Sequence, residues 1–169
     1  TTALIGQSWR LKSDSTFGDR TGLEDERSDY VGRLMVSPSR YLDYVHRLRL
    51  DRDSFTIRRN EFNLSLGPKA WRFNVGYLSL SQELAANNLS SREELRLSGE
   101  AEITQFWRIS ANSRHDLTAD GGSINHGLGL VYEDECVVFS SQYDRTFTVD
   151  RDVRPASTLY FKISLKHLG

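Results

Sequence analysis

The feature that most constrains this chain is a two-residue rhythm. In the segment from Ser157 to Gly169, Leu159, Phe161, Ile163 and Leu165 share one parity, and Tyr160, Lys162, Ser164 and Lys166 share the other. Successive side chains of a strand point to opposite faces, so such a segment has one apolar side and one hydrated side. A helix would scatter four apolar residues spaced two apart around its circumference. The same rhythm recurs along the chain. Ala3, Ile5, Trp9 and Leu11 alternate with Gly6, Ser8 and Arg10, and Leu42, Tyr44, Leu48 and Leu50 alternate with Tyr41, Asp43, Arg47 and Arg49. Trp71, Phe73, Val75 and Tyr77 oppose Arg72, Asn74 and Gly76, and Leu95, Leu97, Ala101 and Ile103 oppose Glu94, Arg96, Glu100 and Glu102. Trp107, Ile109 and Ala111, then Ile124, Leu128, Leu130 and Tyr132, then Val137, Phe139 and Tyr143, continue the series.

About ten strands and no helix are predicted, most of them near the 9–11 residues that a tilted membrane strand needs. Two places break phase. Phe55 and Ile57 fall out of step with Phe62, Leu64 and Leu66, which calls for a bulge or a strand end outside lipid. Leu78 and Leu80 break the rhythm of the preceding strand in the same way.

Composition narrows the partners. The 22 basic and 23 acidic residues leave a net charge of -1, so no field draws the chain to nucleic acid or to an anionic surface. Hydrophobic content of 38% suits strands with a single apolar face. No apolar run reaches the roughly 18 residues of a membrane helix, which says nothing against barrel strands. Thr1-Thr2-Ala3 leads straight into patterned sequence without a leader, and an exported protein needs one. The expectation is a mature chain or an excised portion of a longer one. Cys136 has no partner within the sequence and is either a buried thiol or bonded to something outside it.

Connections supply a second signal. The first, fifth, seventh and ninth read as long, and the second, fourth, sixth and eighth as tight turns. The third, Asp51-Arg52-Asp53, reads as short and breaks the series. Long connections on one side and tight turns on the other characterise outer-membrane barrels, the long side being extracellular. That count puts both chain ends and the turn holding Cys136 on the periplasmic side. Trp9, Trp71, Tyr77, Trp107, Tyr132 and Tyr143 lie toward strand ends, where an aromatic girdle sits at the membrane interface. The fold class expected is therefore all-β, with antiparallel transmembrane β-barrel strands forming part of a larger outer-membrane barrel. A soluble β-sandwich is the alternative, and the charges Glu94, Arg96, Glu100 and Glu102 on one inner face argue for a solvated lumen instead.

The stretch Tyr132-Glu133-Asp134-Glu135-Cys136-Val137-Val138-Phe139-Ser140-Ser141-Gln142-Tyr143-Asp144-Arg145, with Asp150-Arg151-Asp152-Val153-Arg154-Pro155 and Leu159 to Lys166, resembles the C-terminal end of the LptD family of lipopolysaccharide-assembly proteins. Gly6-Gln7-Ser8-Trp9-Arg10-Leu11 and Ser28-Asp29-Tyr30-Val31-Gly32 resemble its earlier barrel strands and loop. The resemblance implies a bacterial outer-membrane location and transport of lipopolysaccharide without chemistry or cofactor. It implies a periplasmic jelly roll joined to a barrel of about 26 strands. It also implies an LptE lipoprotein plug, and barrel-assembly machinery that inserts the chain. Residues 1–169 would form the C-terminal part of that barrel, and Leu159, Phe161, Ile163 and Leu165 one lip of a lateral gate. The rest of the chain, jelly roll included, would be a partner. Cys136 matches a family cysteine bonded to the periplasmic domain. Val137 follows it where many members have a second cysteine, so its connectivity stays open.

The remaining candidates are weaker. Arg10, Arg47, Arg49, Glu94, Arg96, Glu100, Glu102, Lys162 and Lys166 face the expected lumen and are available to LptE or to lipid phosphates. The acidic loop with Asp14, Asp19, Glu24, Asp25, Glu26 and Asp29 lacks EF-hand spacing for a divalent cation. His46, His126 and His167 lack metal spacing. Ser113, His115 and Asp116 are close in sequence but carry no hydrolase motif. A small barrel acting as a diffusion pore, or as a lipid or peptide hydrolase, is the competing reading.

Overall fold

The computed structural model describes residues 1–11, 26–81, 91–148 and 154–166. Ten strands follow one another: β1 Thr2–Gly6, β2 Tyr30–Ser39, β3 Leu42–Leu50, β4 Ile57–Leu66 and β5 Trp71–Leu80, then β6 Arg92–Glu102, β7 Trp107–Asp116, β8 Gly122–Glu133, β9 Val137–Thr146 and β10 Ala156–Leu165. They form a single sheet in the order β1 to β10, so each strand pairs with its neighbours in sequence. The pairings whose register is defined, β1–β2, β2–β3, β7–β8, β8–β9 and β9–β10, are all antiparallel.

Contacts divide the chain into two compact units. The first comprises residues 1–64 and 76–94, the second 65–75 and 95–169. Within the first, Ala3 faces Leu34 and Ile5 faces Gly32 across β1–β2, while Leu34 faces His46 and Val36 faces Tyr44 across β2–β3. Within the second, Ala111 faces Leu128, Leu128 faces Tyr143, and Leu159 faces Tyr143. Directly opposed residues put their side chains on one face, so the alternation read from the sequence becomes cross-strand rows, apolar at Ala111–Leu128–Tyr143–Leu159 and interrupted at His46 beside Leu34 and at Ser141 beside Leu130.

That apolar face has no cover. Among the described residues no hydrophobic side chain is buried, while Leu128 is 59% exposed, Phe161 65% and Ile163 68%. A soluble sandwich would bury these residues between two sheets. Instead the buried side chains are polar: Ser28, Asp29, Asp51 and Glu94. For an isolated water-soluble domain this arrangement inverts the usual distribution. For a sheet whose apolar side meets acyl chains it is the required one.

Several boundaries differ from the sequence reading. β1 ends at Gly6 rather than Leu11, and the backbone of Trp9 pairs with Arg27 as an isolated bridge. β2 continues through Pro38 to Ser39 instead of stopping at a turn cluster, with a register shift between Val36 and Ser39. A bulge of this kind accommodates a proline that cannot donate to the ladder. β4 starts at Ile57, not Ser54, so the phase break at Phe55 belongs to a loop. Phe55 has φ of 56°, outside strand geometry, and its ring stacks on Tyr30 at 5.5 Å.

The third connection therefore runs over 51–56 and is not short. Every odd-numbered connection (7–29, 51–56, 81–91, 117–121 and 147–155) is longer than every even-numbered one (40–41, 67–70, 103–106 and 134–136). The expected exception disappears, and the long and short sides of the sheet alternate without fault.

The candidate membrane face, lumenal charges and terminal edge

The short-turn side of the second unit is set by glycine and aromatic packing. Gly67 sits at φ of 107°, where a Cβ is strained, and one would also drive into the Trp71 carbonyl and ring. The turn thus needs glycine, and the Trp71 indole lies over it. Trp107 and Tyr132, opposed in register, meet with tilted rings whose centroids are 5.0 Å apart. The Tyr132 hydroxyl donates to Asp134 Oδ2 at 2.9 Å, so a ring on the apolar face ends in a polar anchor at the turn. Trp71, Trp107 and Tyr132 all border even-numbered connections. Tyr77 and Tyr143 stand nearer the other end of their strands. Tyr77 donates to Glu93 at 2.6 Å and stacks on Phe62 at 5.3 Å, and Tyr143 donates to Ser157 at 3.2 Å. Trp9 is 68% exposed, donates to Gln7 Oε1 at 3.0 Å, and has the Arg27 guanidinium 5.1 Å above its ring.

Several charges of the polar face are paired. Arg47 donates to Glu61 at 2.7 Å, and Arg49 donates to the buried Asp29 at 2.7 Å. Glu94, 3% exposed, accepts from Arg92 at 2.5 Å. Sequence spacing pointed to the charges of this face but not to Glu61 and Asp29 as partners, because these lie on β4 and in the first connection; Arg92, by contrast, shares β6 with Glu94. Glu100 lines a recess with Lys69, Arg72 and Arg108. Lys166 donates to Glu133 at 2.7 Å and lines an adjoining recess with Glu102, Arg108 and Glu135. Lys162 is exposed on the polar face of β10. Of the acidic loop, Asp14, Asp19, Glu24 and Asp25 lie outside the described residues.

By sequence Asp29 belongs to that loop, and the structure gives it another role. It lies between Arg49 and Arg58 Nη1 at 3.6 Å, while Arg58 Nη2 also pairs with Asp51. Ser28, next to Asp29, accepts a hydrogen bond from Gln7 on its carbonyl at 3.0 Å and from the Ser8 N–H on its hydroxyl at 2.7 Å. Together these contacts tie the ends of the first connection to the β3–β4 hairpin. Asp51 caps its own loop, accepting from the N–H of Ser54 at 2.7 Å, the Ser54 hydroxyl at 2.8 Å and the N–H of Asp53 at 2.9 Å. Those donors, with the Ser54 N–H foremost, hold its carboxyl down at about 2.

Cys136 is exposed, which removes the buried-thiol alternative. It ends the turn 134–136, where Asp134 Oδ1 accepts from the N–H groups of Cys136 and Val137, each at 2.8 Å. These two donors, Val137 first, lower the Asp134 carboxyl below its ordinary value.

Ser113, His115 and Asp116 are not brought together as a catalytic set. Ser113 pairs with His126 at 2.9 Å, His115 with Ser123 at 3.4 Å, and Asp116 accepts from Thr118 at 2.7 Å. Among the described residues no carboxylate hydrogen-bonds to His126. Also among them, no cluster of three or more His, Cys, Asp or Glu side chains is placed for a metal.

Among the described residues the terminal strand pairs with β9 alone. Leu159 pairs with Tyr143, Phe161 with Ser141, Ile163 with Phe139 and Leu165 with Val137, and Phe139 stacks on Phe161 at 6.2 Å. The Lys166 N–H donates to the Cys136 carbonyl at 2.8 Å. Hydrogen-bonded and non-bonded pairs alternate along an antiparallel ladder. The N–H and C=O groups of Leu159, Phe161, Ile163 and Leu165 therefore point away from β9. The same four residues present both an apolar face and an open backbone edge.

An uncovered apolar face, a charge-paired opposite face and strictly alternating connections define a wall of transmembrane β-barrel strands. The family model LptD, described as LPS transport system D, matches residues 1–107. The chain belongs to this family of lipopolysaccharide transport proteins. The match includes Gly6 to Leu11 and Ser28 to Gly32 but stops before the Tyr132 to Lys166 stretch. No curated protein matches the chain.

Proposed function

We propose that residues 1–169 are the C-terminal portion of an outer-membrane barrel that inserts lipopolysaccharide into the outer leaflet, with β10 as one lip of a lateral gate. The observation that carries this reading is the edge of β10. Leu159, Phe161, Ile163 and Leu165 offer acyl chains an apolar surface, and their backbone groups leave a seam that a further strand can close or release. Unpaired backbone groups are not tolerated in hydrocarbon, so this edge requires the rest of the barrel as its partner. The polar face, with Arg47, Arg49, Glu94, Arg96, Glu100, Lys162 and Lys166, is the side for sugars and for an LptE plug. The exposed Cys136, on the short-turn side, is the candidate for a disulfide to the periplasmic domain, in a compartment where such bonds persist. Insertion itself would depend on the barrel-assembly machinery.

The test is a charge on the gate strand of the full-length protein. Phe161→Lys or Phe161→Arg should cost on the order of 2–4 kcal/mol at mid-bilayer, reducing folded barrel and surface lipopolysaccharide. Lys162→Gln, on the opposite face, should leave insertion intact. Normal assembly and transport in the charged variants would overturn the assignment.

A further inference from the structure

The apolar face of β7–β10 is built in cross-strand rows, and the rows change character at one level. From the short-turn end they read Trp107–Tyr132–Phe139–Ile163, then Ile109–Leu130–Ser141–Phe161, then Ala111–Leu128–Tyr143–Leu159. The next row on the same face is Ser113–His126–Arg145–Ser157. It contains no aliphatic or aromatic hydrocarbon side chain.

The height of this row is set by strand geometry. Same-face rows are about 6.8 Å apart along a strand. Four steps separate it from the Val137–Leu165 pair, about 27 Å along the strand and about 21 Å along the membrane normal at a tilt of roughly 40°. The apolar band of an outer-membrane barrel is about 25 Å tall. The polar row thus stands within about 4 Å of the far edge of that band, close to where acyl chains give way to head groups, on the side of the long connections.

Its chemistry is cationic and donor-rich. Arg145 is exposed, with its guanidinium 4.9 Å over the Phe147 ring. His126 packs edge-on against the same ring at 5.0 Å, and its Nδ1 is 2.9 Å from Ser113 Oγ. His115, beyond the bulge that leaves Ile124 of β8 unpaired with β7, lies 5.3 Å from His126. Asp144, the acidic neighbour of Arg145, points to the other face and accepts from Gln142 at 2.7 Å. Among the described residues no carboxylate pairs with Arg145, His115 or His126.

We propose that Arg145, His126 and Ser113, with His115 beside them, form an exterior site for the phosphate of an outer-leaflet glycolipid. A guanidinium fork matches phosphate oxygens bidentately. The imidazole and hydroxyls supply further donors, and Phe147 backs the guanidinium so that its N–H edge is presented outward. The placement rests on the proposed membrane-facing role of this side of the sheet. The site lies on the outer wall, away from the charged face and from the open edge of β10.

The experiment uses the full-length protein in phosphatidylcholine nanodiscs containing either lipid A or dephosphorylated lipid A, with retained glycolipid counted by native mass spectrometry. The wild type should prefer the phosphorylated lipid roughly tenfold, the worth of one or two charge-assisted hydrogen bonds. The Arg145→Gln/His126→Gln double variant should lose that preference, Arg145→Lys should keep part of it, and Arg40→Gln, in the second turn, should keep all of it. Equal retention of the two lipids by the wild type, or an undiminished preference in the double variant, overturns the site. Should the double variant fail to assemble, Arg145→Gln and Ser113→Ala taken singly carry the same readout. A nitroxide at Leu128→Cys, in a Cys136→Ser background, separates the two levels of the argument. Relaxation by a water-soluble nickel complex instead of oxygen would place this face in water and remove both readings. A lipid-exposed label without a phosphate preference removes the site alone.

Discussion

Arg49 Nε donates to Asp29 Oδ2 at 2.7 Å, and the Asp29 side chain is only 4% exposed. With Arg58 on its other side at 3.6 Å, Asp29 is a buried carboxylate held between two cations at the end of the longest connection. Removing Arg49 leaves the buried carboxylate with Arg58 alone, which it shares with Asp51, at a cost near the low end of the about 3–5 kcal/mol of a broken buried pair. Arg49→Ala should therefore destabilise the folded protein by that order and raise proteolysis of the first connection. Arg47→Ala, whose side chain is 42% exposed, should cost under about 1 kcal/mol. Urea unfolding of the two variants in the full-length protein checks the difference.

Acid should act on the third connection through Asp51. Its carboxyl titrates at about 2 in the folded chain against 3.8 ordinarily. A carboxyl with a lowered folded pKa contributes stability that is complete above its unfolded value and is lost as pH falls toward the folded one. The Asp51 contribution should hold above pH 4 and disappear between about 4 and 2. Asp51→Asn should be less stable at pH 7 and should show a flatter loss across that window, read from urea midpoints at each pH.

Gly67 offers a backbone test. Gly67→Ala forces a Cβ onto a residue at φ of 107° and against Trp71. The conformational strain alone is of order 1–3 kcal/mol. Gly122, where an added Cβ meets nothing within 4 Å, is the control. Gly67→Ala should lower folded yield and blue-shifted tryptophan emission, while Gly122→Ala should leave both near wild type.

Cys136 is exposed on a turn fixed by the Asp134 carboxylate. Cys136→Ser in the full-length protein should change the non-reducing gel pattern and leave the reduced pattern unchanged. An unaltered non-reducing pattern would assign Cys136 no covalent partner.

The apolar rows were legible in the sequence because strand periodicity is a local property. Leu159 to Leu165, Trp107 to Ala111 and Leu95 to Ala101 each announce their face without reference to a neighbour. The strand ends were less legible. Ser54 and Phe55 suit an extended segment by composition, yet the N–H groups drawn to Asp51 and the stacking of Phe55 on Tyr30 hold them out of β4. The pairing of Arg49 with Asp29, and of His126 with Ser113 instead of its sequence neighbours, depends on cross-strand register. No spacing rule within one segment contains that information.

The coincidence of greasy side chains and outward amides on β10 has a consequence for assembly. A strand zipping onto that margin meets teeth of two-residue pitch. A slip of a single notch would turn its oily residues toward water and its charges toward the fatty interior. Mispairing at this border is therefore quantised, confined to even offsets, and each permitted error shifts the hairpin ends by a whole tooth rather than blurring the joint.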